Sequence, residues 1–383
     1  MSTSKLIIYS EDVHDYVLLA YLELISILKP TVEIDLITYN SKVKRISKDL
    51  DAYRIKGLID IKFLNSLGKK NSNKTLALLN KYLIKAPKYF ANVAKIFFIT
   101  VKSKPNQQLI ITEIYNKFHA YIIYFIIIKL KRNRHFILTI HNADKFLYKD
   151  SIYNKLFKAS SKIVVLSENV KSYLVSHTKN HTFVFPASLP NQKILNLRSK
   201  NLKAINNDEI MICVTGSIDQ KRKDYKKIID YFSTLDSSDF KLIFLGKLVS
   251  REVIQYAFEK NVDVIYFEHF IADDEFSEIL SKVHFLFSLN SSSSYLKTKI
   301  SGIIYDSLRY AVPLISDNPS FSVKSINHIL IKDLKDFQET FEYYKKHNIY
   351  KTLANDTLEL SKKSLPQNLV IEDTNIKRLF DEI

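Results

Sequence analysis

Short apolar runs rich in β-branched residues alternate with longer stretches of helical spacing along most of this chain. "KLIIYS" (5–10), "FILTIH" (136–141) and "IMICVT" (210–215) are examples of these runs. A strand that is followed by a helix and then by another strand builds a parallel sheet, and such a sheet carries helices on both faces. The alternation therefore predicts an α/β fold made of doubly wound parallel sheets.

The strand pattern stops once and then restarts, which predicts two domains. The stretch 191–208 is polar and has no clear period, and 383 residues exceed the usual size of one domain. We therefore predict a first domain over 1–190, a linker over 191–208, a second domain over 209–360 and a helical tail over 361–383.

Basic residues are concentrated in one part of the chain. Residues 41–135 hold about 21 Lys and Arg against about 4 Asp and Glu, a surplus equal to the net charge of +17. Such a segment suits an anionic partner, such as lipid headgroups, nucleic acid or a phosphorylated substrate, although a solvated basic surface would have the same composition. The longest apolar stretch, 120–130, is too short to span a bilayer. We favour a buried helix or strand, and a helix that touches a membrane surface is the alternative. The chain start does not resemble a signal peptide, so we expect a cytoplasmic protein.

The loop after "IMICVT" combines a glycine with basic residues in a chain that has only five glycines. Gly216 would permit a close approach of the backbone or an unusual φ, and Ser217 offers a hydroxyl. Arg222 and Lys223 lie just before the next helical stretch, where a phosphate would receive charge-assisted hydrogen bonds. We interpret the neighbouring Lys221 as a solvated lysine.

A second segment, "SLNSSSSYLKTKISGIIYDSLRYAVPLIS" (288–316), runs from a strand through a polar loop to a helix. Ser301 and Gly302 fall where this helix would begin, and exposed amides at a helix start attract a diphosphate. Asp306 follows one turn later, where it could accept hydrogen bonds from a ribose.

These two segments together resemble the nucleotide-sugar half of the GT-B glycosyltransferases. The resemblance implies two tandem Rossmann-like domains that face a cleft. It also implies that Gly216, Arg222 and Lys223 bind the donor pyrophosphate and that Asp306 binds the ribose. In the first half, "FILTIHNAD" is similar to a family strand that ends in a histidine. Ala311 stands where the family has the glycine of a Gly-x-Pro sequence, and the stereochemistry of transfer stays open.

The histidine of "FILTIHNAD", His141, is the catalytic candidate. At a strand end it could hydrogen-bond the transferred sugar or accept a proton from the acceptor, although it could also merely cap backbone groups. Asp12, His14 and Asp144 are further candidates on the acceptor side. We expect no metal and no cofactor beyond the nucleotide-sugar substrate, because the resemblance implies that basic side chains and a helix dipole stabilise the leaving diphosphate.

The expected function is that of a metal-independent glycosyltransferase of the hexosyltransferase type. It would move a sugar from a nucleotide-diphosphate donor to an acceptor hydroxyl, on a lipid-linked saccharide of bacterial surface polysaccharide synthesis. Residues 41–135 would contact the anionic inner membrane peripherally. Two alternatives stay open: a nucleotide-sugar epimerase on the same fold, and a non-catalytic basic protein that binds membrane or nucleic acid. We do not expect nucleic acid as the partner, because no helix-turn-helix, RNP or zinc pattern occurs.

Overall fold

The computed structural model divides the chain into two compact units. One unit comprises Met1–Ala187 together with Asp373–Ile383, and the other comprises Ser188–Glu372. The residues that the structure describes are 5–11, 15–46, 50, 59–64, 91–92, 94–96, 108–125, 136–178, 180–186, 188–204, 210–289, 301–319, 327–347 and 349–381.

The first unit contains a parallel sheet of seven strands in the order β3-β2-β1-β4-β5-β6-β7. Its strands are β1 (Lys5–Tyr9), β2 (Glu33–Tyr39), β3 (Ile59–Leu64), β4 (Leu109–Ile111), β5 (Phe136–Ile140), β6 (Lys162–Val165) and β7 (His181–Val184). Its helices before residue 188 are α1 (Asp15–Leu28), α2 (Asn40–Arg45), α3 (Lys117–Tyr124), α4 (Ala143–Leu147), α5 (Ile152–Ala159) and α6 (Glu168–Val175).

The second unit contains a parallel sheet of six strands in the order β10-β9-β8-β11-β12-β13. Its strands are β8 (Ile210–Thr215), β9 (Phe240–Lys247), β10 (Val264–Phe267), β11 (Phe285–Ser288), β12 (Leu314–Ser316) and β13 (His328–Leu330). Its helices are α7 (Gln192–Ala204), α8 (Tyr225–Phe232), α9 (Arg251–Glu259), α10 (Asp273–Leu280), α11 (Gly302–Tyr310), α12 (Leu334–His347), α13 (Tyr350–Lys363) and α14 (Pro366–Glu372).

Both sheets are buried on both faces, which explains why their strands read as continuous apolar runs. In β8, for example, Ile212 and Val214 face one hydrophobic cluster and Cys213 faces another. Side chains of a strand alternate between the two faces of a sheet, so each face of a doubly wound sheet needs its own helical cover. The two parallel sheets confirm the predicted α/β fold with two Rossmann-like domains.

The predicted linker is a helix over most of its length and packs within the second unit. Ile194, Leu195, Arg198 and Leu202 of α7 are buried, at the spacing of one helix face. The Arg198 guanidinium donates to the backbone oxygens of Val283 at 2.7 Å, Ser281 at 3.0 Å and Ala311 at 3.3 Å. The sequence did not predict this helix, because an arginine stands in the middle of its buried apolar face.

The predicted tail is divided between the two units. Its last helix, α15 (Thr374–Phe380), belongs to the first unit. Phe380 packs edge-to-face against Tyr21 of α1 with 6.1 Å between the ring centroids. The Lys162 ammonium group donates to the carbonyl oxygens of Arg378 at 2.9 Å and Leu379 at 3.2 Å, which places a cation at the carboxyl end of the helix. None of the described helices is both long and apolar enough to cross a membrane.

Candidate functional site

The carboxyl edge of the second sheet contains the residues that the sequence marked for donor binding. In the strand order, β8 lies between β9 and β11, so the chain winds in opposite directions on the two sides of the β8–β11 pair. Ligands of doubly wound sheets bind outside the strand ends at such a switch point. Thr215 ends β8 and Gly216 follows it at this position.

Two of the chain's five glycines touch each other beside this switch point. Gly216 has a φ of +94°, a backbone conformation that residues other than glycine rarely adopt. Gly246, near the end of β9, faces it so closely that an added Cβ would lie 2.1 Å from the Gly216 carbonyl oxygen. The Gly216 amide donates to the Leu245 carbonyl oxygen at 3.0 Å. The glycine loop is therefore held tightly against β9.

Thr215 joins Lys223 and Asp306, two of the predicted donor-site residues. The Thr215 hydroxyl donates to Asp306 Oδ2 at 2.6 Å, and the Thr215 carbonyl oxygen accepts a hydrogen bond from Lys223 Nζ. The Lys223 ammonium group also lies 3.8 Å from the point where a Cβ on Gly216 would stand. The fold thus brings the glycine loop, one lysine and one carboxyl group together.

Burial changes the proton affinity of both charged groups in this cluster. It lowers the pKa of Lys223 to about 8, although nearby Asp306 acts in the opposite direction. It raises the pKa of Asp306, against the opposing effects of the Thr215 hydroxyl and of the cations of Lys223 and Arg309. An incoming phosphate would favour the charged form of Lys223.

The other predicted donor residues lie around this cluster with differing exposure. Arg222 is two-thirds exposed, and its Nε lies 3.9 Å from Asp219 Oδ2. Ser217 is half-buried, and its carbonyl oxygen accepts a hydrogen bond from Tyr225 at 3.2 Å. Ser301 is the N-cap of α11 and Gly302 is its first residue. A Cβ on Gly302 would meet no atom of the described residues within 4 Å, and Gly302 itself is exposed.

In the first unit, the switch point lies between β1 and β4, and His141 follows the next strand, β5. Its Nε2 lies 2.8 Å from the Thr112 carbonyl oxygen. A carbonyl oxygen only accepts hydrogen bonds, so Nε2 carries a proton. In the neutral ring, Nδ1 is therefore the nitrogen that could take up another proton.

Of the three remaining acceptor-side candidates, only Asp144 lies among the described residues. Asp144 is exposed in the first turn of α4, and its amide donates to Asn142 Oδ1 at 3.2 Å. This contact shows the turn chemistry that "NAD" predicted, because Asn142 is the N-cap of α4. Asp12 and His14 lie outside the described residues.

Charged residues that the sequence did not mark fill the switch point of the first unit. Lys42 and Glu113 are buried and form an ion pair of 2.6 Å. Glu11, also buried, accepts hydrogen bonds from the amides of Tyr115 at 2.8 Å and Asn116 at 3.0 Å. The only signal in the sequence was the position of the acids, since Glu11 and Glu113 each follow an apolar strand by two residues.

Neither switch point has the composition of a metal site in the part of the chain that the structure describes. No group of three or more His, Cys, Asp or Glu side chains there could hold a metal ion. The acids of "DDEF" (273–276) lie in the first turn of α10, where they complement the helix dipole.

Comparisons with known proteins agree on the fold. No protein-family model matches the sequence, and no curated protein matches it significantly. Among solved structures, a glycosyltransferase from Rickettsia africae is 14% identical, with a TM-score of 0.65 and coverage of 100% of this chain and 98% of that one. Anabaena HepE in complex with UDP is 8% identical, with a TM-score of 0.67 and coverage of 99% and 100%. Sucrose-phosphate synthase from Thermosynechococcus elongatus is 11% identical, with a TM-score of 0.65 and coverage of 98% and 99%.

At these identities the likeness shows the fold, and it extends over nearly the full length of each chain. The protein thus has the two Rossmann-like domains of the GT-B glycosyltransferase fold.

Proposed function

We propose that the protein is a glycosyltransferase that moves a sugar from a nucleotide-diphosphate donor to an acceptor hydroxyl. The observation that carries the proposal is the Gly216 loop with Lys223 and Asp306 at the switch point of the second sheet. A glycine that lets a ligand approach the backbone, a half-buried cation and a carboxyl group suit a diphosphate attached to a ribose. The fold shared with a UDP complex of Anabaena HepE supports this choice of ligand.

Each donor-site residue has a defined role in this proposal. Lys223 and Arg222 bind the diphosphate, and Lys223 exchanges its contact with the Thr215 carbonyl oxygen for phosphate oxygens. The amides of Ser217 and Gly302, with the dipole of the helix that Ser301 caps, stabilise the leaving diphosphate. Asp306 accepts hydrogen bonds from the ribose. These groups would stabilise the departing charge without a metal ion or a further cofactor.

His141 acts on the acceptor side of the proposed reaction. Because its Nε2–H is committed to Thr112, Nδ1 is the atom that would accept the proton of the acceptor hydroxyl or contact the sugar. Asp144, Asp12 and His14 are the acids and the base to test if His141 proves dispensable.

The proposal is tested by comparing two neighbouring lysines. Lys223→Met should weaken binding of the preferred nucleotide, chosen among UDP, GDP and CMP, by roughly ten- to 150-fold, because a charge-assisted hydrogen bond contributes about 1.5 to 3 kcal/mol. Lys221→Met, a change of the same kind at an exposed position of the same turn, should leave the affinity within about twofold. Equal affinities in the two variants would remove Lys223 from the site.

The reaction itself is tested with a panel of nucleotide sugars. Release of nucleotide diphosphate that depends on an added saccharide acceptor would support transfer. Conversion of the donor sugar into an epimer without an acceptor would instead support the epimerase alternative. Nucleotide binding that is absent for every base would support the non-catalytic alternative.

We also propose that the protein acts at the cytoplasmic face of the inner membrane on a lipid-linked saccharide used for surface polysaccharide. Helix α3, within the basic segment 41–135, supports this idea. Phe118, Tyr121 and Phe125 are 43%, 48% and 50% exposed, and their spacing puts them on one helix face. Part of the stretch 120–130 is thus exposed, whereas we expected burial. Aromatic rings beside lysines suit the interface of an anionic membrane.

Membrane contact can be measured with an introduced tryptophan, because the chain has none. Phe118→Trp should show blue-shifted fluorescence with phosphatidylglycerol vesicles at low salt, and high salt should reverse it because screening weakens attraction to anionic lipid. Phe258→Trp is the matched control, since Phe258 is a 72% exposed phenylalanine on a helix of the second unit. The same shift at both positions, or with neutral vesicles, would contradict a specific contact through α3.

A further inference from the structure

The Thr112 carbonyl oxygen determines which nitrogen of His141 carries the proton. It accepts the hydrogen bond from His141 Nε2 at 2.8 Å. A rotation of this one peptide unit would remove the acceptor that the Nε2–H group has in Thr112. The orientation of the Thr112 peptide therefore controls the chemistry available at Nδ1.

Lys42 contacts groups on both sides of that peptide. Its Nζ donates to Glu113 Oε1, in the residue after Thr112, at 2.6 Å. It also donates to Ser10 Oγ at 2.8 Å, and the same hydroxyl accepts a hydrogen bond from Thr112 Oγ1 at 2.8 Å. A third bond goes to the Glu11 carbonyl oxygen at 2.8 Å. The ammonium group thus ties the end of β1 to the peptide that follows β4.

The burial of this network makes its geometry stringent. Lys42 is 0% exposed and Glu113 is 1% exposed, so water cannot replace a lost partner at low cost. A buried ammonium group must keep its acceptors, because an uncompensated charge in the interior is strongly unfavourable. The carboxylate that satisfies Lys42 belongs to the residue after Thr112, and the Ser10 hydroxyl that satisfies it also accepts a hydrogen bond from the Thr112 side chain.

We propose that Lys42 is a positioning residue that holds His141 in its Nε2–H tautomer through Glu113, Ser10 and Thr112. This inference rests on the proposed role of His141 in transfer. It assigns a function to a lysine of the basic segment 41–135 that contributes nothing to the anion-attracting surface.

The informative variant is Lys42→Met/Glu113→Gln, which leaves neither charge alone in the interior. The readout is the pair of ¹⁵N resonances of the His141 ring in the full-length protein, identified by their loss in His141→Gln. Lys162→Met is the matched control. Lys162 is also a buried lysine of the first unit that donates to backbone carbonyl oxygens, but its acceptors lie at the end of α15.

We expect the wild-type resonances to report one tautomer and those of the double variant to move toward the averaged values of a mixture. Lys162→Met should leave them unchanged. With the nucleotide sugar found active in the panel, turnover of the double variant should fall by about tenfold or more. In a His141→Gln background, the double substitution should cause no further loss beyond about twofold.

Unchanged His141 resonances in a folded double variant would overturn the inference, whatever the activity does. Equal losses of turnover in the presence and absence of His141 would also overturn it, because Lys42 would then act by another route. If His141→Gln itself retains full turnover, the proposed role of the histidine fails, while the resonances still decide whether Lys42 positions the ring.

Discussion

Gly246→Ala should disturb the donor site without adding a charge or a polar group. The new Cβ would lie 2.1 Å from the carbonyl oxygen and 2.5 Å from the carbonyl carbon of Gly216, and 3.1 Å from the amide nitrogen of Ser217. Non-bonded carbon and oxygen atoms need more than 3 Å, so the Gly216 loop must retreat by about 1 Å. Overpacking of this kind destabilises a fold by about 1 to 3 kcal/mol.

The displacement should cost donor affinity as well as stability. In the proposed donor site, Gly216 and Ser217 carry the backbone that approaches the diphosphate, and the loss of one charge-assisted hydrogen bond would weaken binding by roughly ten- to 150-fold. Urea unfolding and isothermal titration with the preferred nucleotide measure the two effects separately. A folded variant that keeps wild-type affinity would show that the contact between the two glycines does not position the donor loop.

Gly302→Ala is the control for stability, because it makes the same chemical change at a helical position. Within the described part of the chain, no atom lies within 4 Å of the added Cβ, and alanine is the better helix former by up to about 1 kcal/mol. Its free energy of unfolding should therefore stay constant or rise slightly. If both variants lose equal stability, the close approach at Gly216 is not the cause.

Three further predictions concern charged groups of the second unit. Because the pKa of Lys223 is about 8, affinity for a nucleotide sugar should fall about tenfold between pH 7 and pH 9, as the cation is lost. In calorimetric titrations, Lys223→Arg should abolish this dependence on pH. Asp306 raises the pKa of Lys223, so Asp306→Asn should shift the midpoint of the same titration below 8, and an unshifted midpoint would contradict the coupling. In urea unfolding, Arg198→Met should lower the free energy of unfolding by about 2 to 4 kcal/mol, because buried carbonyl oxygens lose their donors. Lys193→Met, at an exposed position of the same helix, should change it by less than about 0.5 kcal/mol.

The lowered pKa of Lys223 has opposite consequences for binding and for stability. Between about pH 8 and the ordinary lysine value of 10.5, the unfolded chain holds a proton that the folded protein has released. Stability therefore gains from rising pH in this window, while donor affinity declines. The two trends together distinguish loss of the ligand contact from general alkaline unfolding.

The sequence predicted all the central strands and two of the four edge strands, β7 and β10, and it missed the other two edge strands, β3 and β13. Central strands such as β8 are continuous apolar runs because helices cover both faces. Strand β3 mixes buried, half-buried and exposed residues, and β13 has only three residues, none of them buried. Such short runs do not stand out from a loop. Helix α7 was missed for a different reason, since Arg198 occupies a core position and finds its acceptors in distant segments.

The cluster at the end of β8 was easier to foresee from the sequence than the buried network at the switch point of the first unit, for a physical reason. Gly216 and Lys223 lie within one short stretch of chain, so a local pattern of glycine followed by basic residues was enough. Lys42 meets Glu113 across 71 residues of sequence. Lys42 follows β2 and Glu113 follows β4, and the two come together because both of these strands pair with β1. No local pattern separates this buried lysine from the other basic residues of the segment 41–135.

The two switch points lie at the same place in their sheets but differ in what their charged residues do. In the second unit, the cluster has a glycine with positive φ, a half-buried lysine and the exposed first residue of α11, so charge is available where a ligand can approach. In the first unit, Lys42 and Glu113 neutralise each other in the interior, which removes that charge from any ligand. In the inference drawn above, this pair instead holds the Thr112 carbonyl group in place, because a buried ion pair tolerates little movement. The function assigned to His141 therefore depends on residues that no substrate would touch.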